Sequence, residues 1–130
     1  MVYGIIDLLG FIGLPRVAAV ALAILLYEQK GLTLSELVRR TGYAKSHLST
    51  YLKTLAANGL VECIYSGRRV VYRARKQGVI KLLKNHLESL KHRIDYASKT
   101  LHDYELSTLL SGLSEKISQI IKDLEENHSV

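Results

Sequence analysis

Tryptophan is absent from the chain, and phenylalanine, proline, methionine and cysteine each occur once. With Cys63 alone, an internal disulfide and any site built from several thiolates are excluded, which fits a reducing, intracellular compartment. The start, Met1 to Leu14, lacks a positive first segment and a small-residue cleavage site, so no secretory leader is expected. An unbroken membrane-length apolar run is missing as well. The stretch from Ile5 to Tyr27 is long enough to cross a bilayer, but Asp7, Pro15 and Arg16 interrupt it. Only Val17 to Tyr27 remains, a length that suits a buried core helix. There is no nucleophile–base pairing, glycine-rich phosphate loop or cluster of carboxylates, so an enzyme is not expected.

What the chain does have is an apolar fraction of 48% with 23% charged residues over 130 positions, a composition that folds. Eight tyrosines supply nearly all of its aromatic surface, and the net charge is +6. The charge is concentrated. Arg39 to Lys76 carries nine basic residues and one acid, Glu62, whereas the flanking segments are each close to neutral. A basic block so little interrupted by acids points to a polyanionic partner.

Hydrophobic spacing and turn residues divide the chain into three parts. Residues 1–14 read as a short apolar helix, ended by Gly10, Gly13 and Pro15, that serves as a dimer contact. Residues 15–77 begin with a helix running from Pro15 to about Gln29, apolar nearly all round and therefore surrounded by protein. Lys30-Gly31 stops it, and Leu32 and Thr33 form a short extended piece. Thr33-Leu34-Ser35-Glu36 then matches a capping box at the start of a short helix to about Arg40. Gly42 provides a sharp turn. The next helix, Lys45 to Ala57, has Leu48, Leu52 and Leu55 on one face. Leu60 to Tyr65 and Arg69 to Arg75 form a hairpin turned at Ser66-Gly67, with Val70, Tyr72 and Ala74 inward and the arginines outward. Residues 78–127 are helical with a coiled-coil seam of Leu83, Leu87, Leu90, Ile94, Ala97, Leu101 and Tyr104. The register breaks near Glu105 to Ser107 and resumes at Leu110, Leu113 and Ile117. Either a stutter in one helix or a turn between two satisfies that pattern.

Helix, short helix, glycine turn, helix and basic hairpin follow the order of a winged helix-turn-helix. The expected fold is therefore mainly α with a small β-hairpin wing, followed by a long C-terminal dimerisation helix. The B-DNA major groove admits one α-helix, which must bury one face and present small polar or basic groups on the other. On the Lys45–Ala57 helix, Ser46, His47, Ser49 and Thr50 are assigned to base edges, and Lys45 and Lys53 to phosphates. Tyr43 and Arg40 join them ahead of the helix. Arg68 and Arg69 at the hairpin tip are expected to meet the minor groove or backbone, with Arg73 and Arg75 along the backbone.

Thr33-Leu34-Ser35-Glu36-Leu37, Thr41-Gly42-Tyr43-Ala44-Lys45-Ser46, Leu52-Lys53-Thr54-Leu55, Asn58-Gly59-Leu60-Val61 and Ser66-Gly67-Arg68-Arg69-Val70-Val71-Tyr72 resemble the winged-helix pattern of the ArsR, MarR and TrmB regulators. The similarity spans roughly Pro15 to Lys76 and is nearest to small archaeal members with a C-terminal coiled coil. It implies a dimer that binds operator DNA in the cytoplasm, associated with the nucleoid, and adjusts transcription. It also allows for an unidentified small effector. The chain departs from the pattern at Ala44, where a Ser or Thr cap is usual, so that helix end is left to phosphate or water. Paired cysteines of the metal-sensing ArsR kind are missing, and His86, His92, Asp95, His102 and Asp103 lack a ligand-like spacing. No metal or cofactor is expected. His47, on the DNA side, is a candidate for pH-sensitive binding.

A homodimer is expected because one such domain offers few contacts to DNA and because the apolar seam needs cover. Ile5, Leu8 and Leu9 of the first helix and Leu83, Leu87, Leu90, Ile94, Leu101, Leu110, Leu113 and Ile117 of the last tract are the expected interface. The competing arrangement folds Leu106 to Leu124 back on Leu83 to Tyr104 within one chain. The competing function is an architectural chromosomal protein that coats double-stranded DNA with little sequence preference.

Overall fold

In the computed structural model, which describes residues 2–128, the chain forms two compact units, Met1–Val79 and Ile80–Val130. The first unit contains α1 (Tyr3–Phe11), α2 (Arg16–Glu28), β1 (Leu32–Thr33), α3 (Leu34–Thr41), α4 (Lys45–Ala57), β2 (Val61–Ser66), β3 (Arg69–Ala74) and the start of α5 (Lys76–Thr100). Met1, counted above with the first helix, lies outside the described residues. The helix α1 belongs to this unit. It buries Leu9 and Ile6 in the common core and leaves Tyr3, Leu8 and Phe11 exposed. Leu9 is thus packed within the chain, not presented to a partner, because α1 lies against α2.

The middle of the core is α2, in which Ala18, Ala19 and every residue from Ala21 to Leu25 are buried. Its alanines let neighbouring elements approach closely, while Leu22 and Leu25 meet Leu37 of α3 and Leu48, Leu52 and Leu55 of α4 in the same buried set. Each leucine so buried contributes about 1.5–3 kcal/mol of transfer free energy. Pro15 sits one place ahead of α2 as its cap residue. The other end stops at Gln29, which takes a left-handed conformation (φ 57°) and donates its N–H to the Leu25 carbonyl, a residue earlier than Lys30-Gly31. Gly31 has a packing role instead, since a Cβ there would fall 2.0 Å from the Val71 Cγ1 methyl.

The capping box at the start of α3 is present in full. Glu36 N–H donates to Thr33 Oγ1 at 3.2 Å and Thr33 N–H donates to Glu36 Oε1 at 3.0 Å. At the other end Gly42, with φ 76°, gives its N–H to the Val38 carbonyl. The hairpin β2–β3 pairs Ser66 with Arg69 and Val61 with Ala74. Gly67, at φ 61°, occupies the first central position, where a type II′ turn needs a positive φ. The short piece β1 joins this hairpin as a third antiparallel strand, with Leu32 opposite Tyr72, so the sheet order is β1-β3-β2.

The second unit is a helical hairpin. The helix α5 ends at Thr100 and α6 (Tyr104–His128) begins after three residues, so the tract comprises two helices and not one long one. The turn is set by Asp103, whose carboxylate accepts the Leu106 N–H at 3.0 Å. The two helices run antiparallel. Ser107 Oγ donates to the Ser98 carbonyl, Ser114 Oγ to Asp95 Oδ1, and Lys84 Nζ pairs with Glu125 at 2.8 Å. Ile94, Ile117 and Ile121 are buried between them, flanked by Leu87 and Leu110. Four residues expected at a subunit interface, Leu87, Ile94, Leu110 and Ile117, therefore satisfy one another within the chain. The arrangement with Leu106 to Leu124 folded back is the observed one.

Candidate nucleic-acid interface

The helix α4 is held by a stripe of Leu48, Leu52 and Leu55, all essentially inaccessible. At 100° per residue, Ser46, Thr50 and Lys53 project opposite that stripe. All three are exposed, as are Lys45 and His47, while Ser49 is half-buried at the margin. The sequence-predicted set on α4 is thus brought to one acid-free face. Two details narrow what it can do. Thr50 donates its hydroxyl proton to the Ser46 carbonyl at 3.0 Å, leaving a methyl group and acceptor lone pairs for a partner. His47 packs its ring on Tyr51, with centroids 5.8 Å apart and planes tilted by 58°, so its imidazole has a preferred direction.

The segment in front of α4 is tied by hydrogen bonds. Thr41 Oγ1 donates to the Leu37 carbonyl at 2.7 Å and accepts the Tyr43 N–H at 3.1 Å, which fixes the turn between α3 and α4. Ala44 caps α4 without any side-chain bond, so the first backbone N–H groups of the helix point outward unpaired by a cap. That end carries the positive pole of the helix dipole, beside Lys45. Arg40 is engaged elsewhere: its guanidinium donates to Glu28 Oε2 at 2.7 Å, and the partners shift each other, Glu28 downward and Arg40 upward, chiefly through that bond.

At the wing, Arg68 and Arg69 are exposed at the tip, and Tyr65 stands beside them with 76% of its surface free. Tyr65 was missed in the sequence because its strand parity matches inward-facing Val61 and Cys63. The strand outruns the core before reaching it. Arg69 also lies near the start of α3, where its charge helps hold the Glu36 carboxyl below its ordinary range, after the larger effects of the Thr33 hydrogen bonds. Arg73 and Arg75 are exposed but sit toward the base of the wing, about 13 and 20 Å from Arg69 at ~3.3 Å per residue. Arg73 stands opposite Glu62 in the strand register. Lys45 and Lys53 on α4 and Arg68 and Arg69 at the tip are thus exposed cations, and Arg73 and Arg75 lie farther down the wing. Among the described residues, no three or more of His, Cys, Asp and Glu gather as a metal would require. No helix among them is long and apolar enough to cross a membrane.

Residues 17–63, the span from α2 through the recognition helix into the wing, match the IclR helix-turn-helix domain. A comparison with curated proteins gives no match. Among solved structures, a transcriptional regulator is similar at 18% identity and a TM-score of 0.55, over 96% of this chain and 95% of that one. MepR, a transcription regulator of the Staphylococcus aureus multidrug efflux pump MepA, is similar at 16% identity and a TM-score of 0.50, over 92% of this chain and 89% of that one. The chain has the winged helix-turn-helix fold of transcription regulators, mostly helical with a three-stranded antiparallel sheet.

Proposed function

We propose that this chain is a DNA-binding transcription regulator, working in the cytoplasm. It lays the outer face of α4 in the major groove and the Arg68–Arg69 tip against the minor groove or backbone. The observation that carries this reading is the acid-free exposed surface of α4, with Ser46, Thr50 and Lys53 opposite the buried leucines, Lys45 and His47 exposed at its flanks, and a bonded turn ahead of it. Ser46, His47, Ser49 and Thr50 meet base edges. Lys45, Lys53, Tyr43 and the wing arginines hold the phosphates. The motif pattern resembles ArsR, MarR and TrmB regulators, while the match over residues 17–63 is to the IclR type, so the reading rests on what these share, a winged domain that grips DNA.

The reading includes a homodimer. The hairpin of α5 and α6 leaves Leu90, Leu106, Leu109, Leu113 and Ile120 exposed after its own core is filled, and α1 leaves Tyr3, Leu8 and Phe11. The hairpin face is covered when two hairpins meet as a four-helix bundle. Light scattering at micromolar concentration checks this, and a monomer would contradict it.

One observation favours the architectural alternative. With the Thr50 proton committed to Ser46, one of four base-reading groups offers only a methyl and an acceptor. Selection of bound sequences from random DNA at two salt concentrations separates the readings. A regulator enriches a two-part motif with half-sites about one helical turn apart. Uniform recovery of all sequences would establish coating instead.

A further inference from the structure

A groove of about 470 Å³ runs along α2 within the first unit. Its floor is aliphatic: Ile6 from α1 with Val20 and Ile24 from α2. Arg16 stands at one end and the Glu28–Arg40 ion pair at the other, twelve residues or about 18 Å along the helix. Tyr43, which leads into α4, also lines the groove, as do Tyr3 and Tyr27.

The two ends differ in charge. Glu28 and Arg40 neutralise each other at 2.7 Å. Arg16 is exposed and makes no ion pair with a described residue. Asp7 shares a neighbouring groove with it but not a salt-bridge distance. The groove is therefore long, aliphatic along its floor and cationic at a single end. A guanidinium fork matches a carboxylate in a bidentate geometry.

We propose that this groove binds an amphipathic organic anion, an alkyl chain ended by one carboxylate. The carboxylate sits on Arg16 and the chain lies over Ile6, Val20 and Ile24 toward Tyr43. The site deepens the regulatory reading above and its consequence for DNA rests on it. A ligand whose tail reaches Tyr43 obstructs the approach of a backbone phosphate to that side chain, so the bound anion weakens DNA binding. By linkage, DNA weakens the anion by the same factor.

The test uses decanoate, below its micellar concentration, titrated calorimetrically into the full-length protein. Decyltrimethylammonium is the control with the same tail and the opposite charge. Decanoate is expected to bind once per chain and the ammonium at least tenfold more weakly. Arg16→Gln, a change at an exposed position, is expected to weaken decanoate about tenfold or more while leaving DNA affinity intact. Val20→Phe, which fills the floor, is expected to do the same to decanoate, with circular dichroism confirming that both variants fold. Saturating decanoate is expected to lower DNA affinity about fivefold or more. Equal binding of the two detergents, or full decanoate affinity in folded Arg16→Gln, overturns the site. So does absence of binding, as when a second copy of the chain already fills the groove. Unchanged DNA affinity in saturating decanoate overturns the coupling. Failure of the protein to bind DNA without ligand would instead remove the regulatory reading and leave the calorimetric result standing.

Discussion

Gly78 lies where α5 leaves the wing, against the turn that separates the recognition helix from β2. A Cβ at that position would fall 2.1 Å from the Gly59 carbonyl oxygen, 2.8 Å from its carbon and 3.2 Å from Leu60 Cα. All three obstacles are backbone, so none can rotate away. Gly59 itself holds φ 76° after α4 and donates its N–H to the Ala56 carbonyl, which fixes the turn further. Replacing Gly78 by alanine has two opposed effects. Alanine gains about 0.8–1 kcal/mol of helix propensity over glycine. Forcing a methyl group into close-packed surroundings costs about 1–3 kcal/mol and more where backbone must shift. At a 2.1 Å approach to backbone the upper end applies, so Gly78→Ala is expected to destabilise by about 2 kcal/mol. Gly31→Ala is the comparison. Its obstacle is the Val71 Cγ1 methyl at 2.0 Å, part of a side chain that can change rotamer, so the expected cost is about 1 kcal/mol. Thermal melts at one fixed protein concentration read the difference, at about 4 °C per kcal/mol for a chain of this size. A Gly78→Ala protein as stable as the parent would refute the close approach of Gly78 to the Gly59 turn.

Three further outcomes follow from the same contacts. Leu52→Ala, at a fully inaccessible position on α4, is expected to cost about 2–5 kcal/mol in denaturant unfolding, whereas Thr54→Ala on the exposed side stays within about 1 kcal/mol. The Asp95 carboxyl is held below its ordinary range first by the Ser114 hydroxyl and then by Lys91. Its contribution to hairpin stability is present above the ordinary aspartate pKa and is lost as pH falls through the lower folded value. Ser114→Ala should therefore raise the Asp95 titration midpoint in an NMR pH series, and an unmoved midpoint would show that the hydrogen bond is not its main cause. Neutralising Arg68 and Arg69 to glutamine should make the slope of log K against log salt shallower by about 1.8, the value for two lost phosphate contacts.

The helix-turn-helix was legible because its signals are local. The Thr33–Glu36 capping box, the Gly42 turn and the leucine spacing on α4 each fall within a few residues, and each survives in the structure at its expected place. The α5–α6 hairpin was harder. The apolar period of Leu83 to Tyr104 is the same whether the next turns continue the helix or return along it. Its turn, Leu101-His102-Asp103, has neither glycine nor proline. The usable signal was Asp103 as a cap, with its carboxylate on the Leu106 N–H. The pairing of β1 with β3 was hidden because two residues carry no alternation. The Glu28–Arg40 pair joins residues twelve apart on different helices, a separation without any local pattern. Burial of Leu9, Ile94 and Ile117 within the chain was concealed for a related reason: an apolar stripe shows that a face must be covered and does not say by what.

The most direct test of the account is a variant with Lys45, Lys53, Arg68 and Arg69 all changed to glutamine, measured for duplex DNA binding by fluorescence anisotropy at two salt concentrations. These side chains are exposed, so the protein should keep its parent circular dichroism spectrum and melting transition. Loss of four phosphate contacts is expected to flatten the salt dependence by about 3.6 and to lower affinity by at least 100-fold at moderate salt. A folded quadruple variant that binds DNA as tightly as the parent would contradict the claim that α4 and the wing tip form the DNA-binding surface.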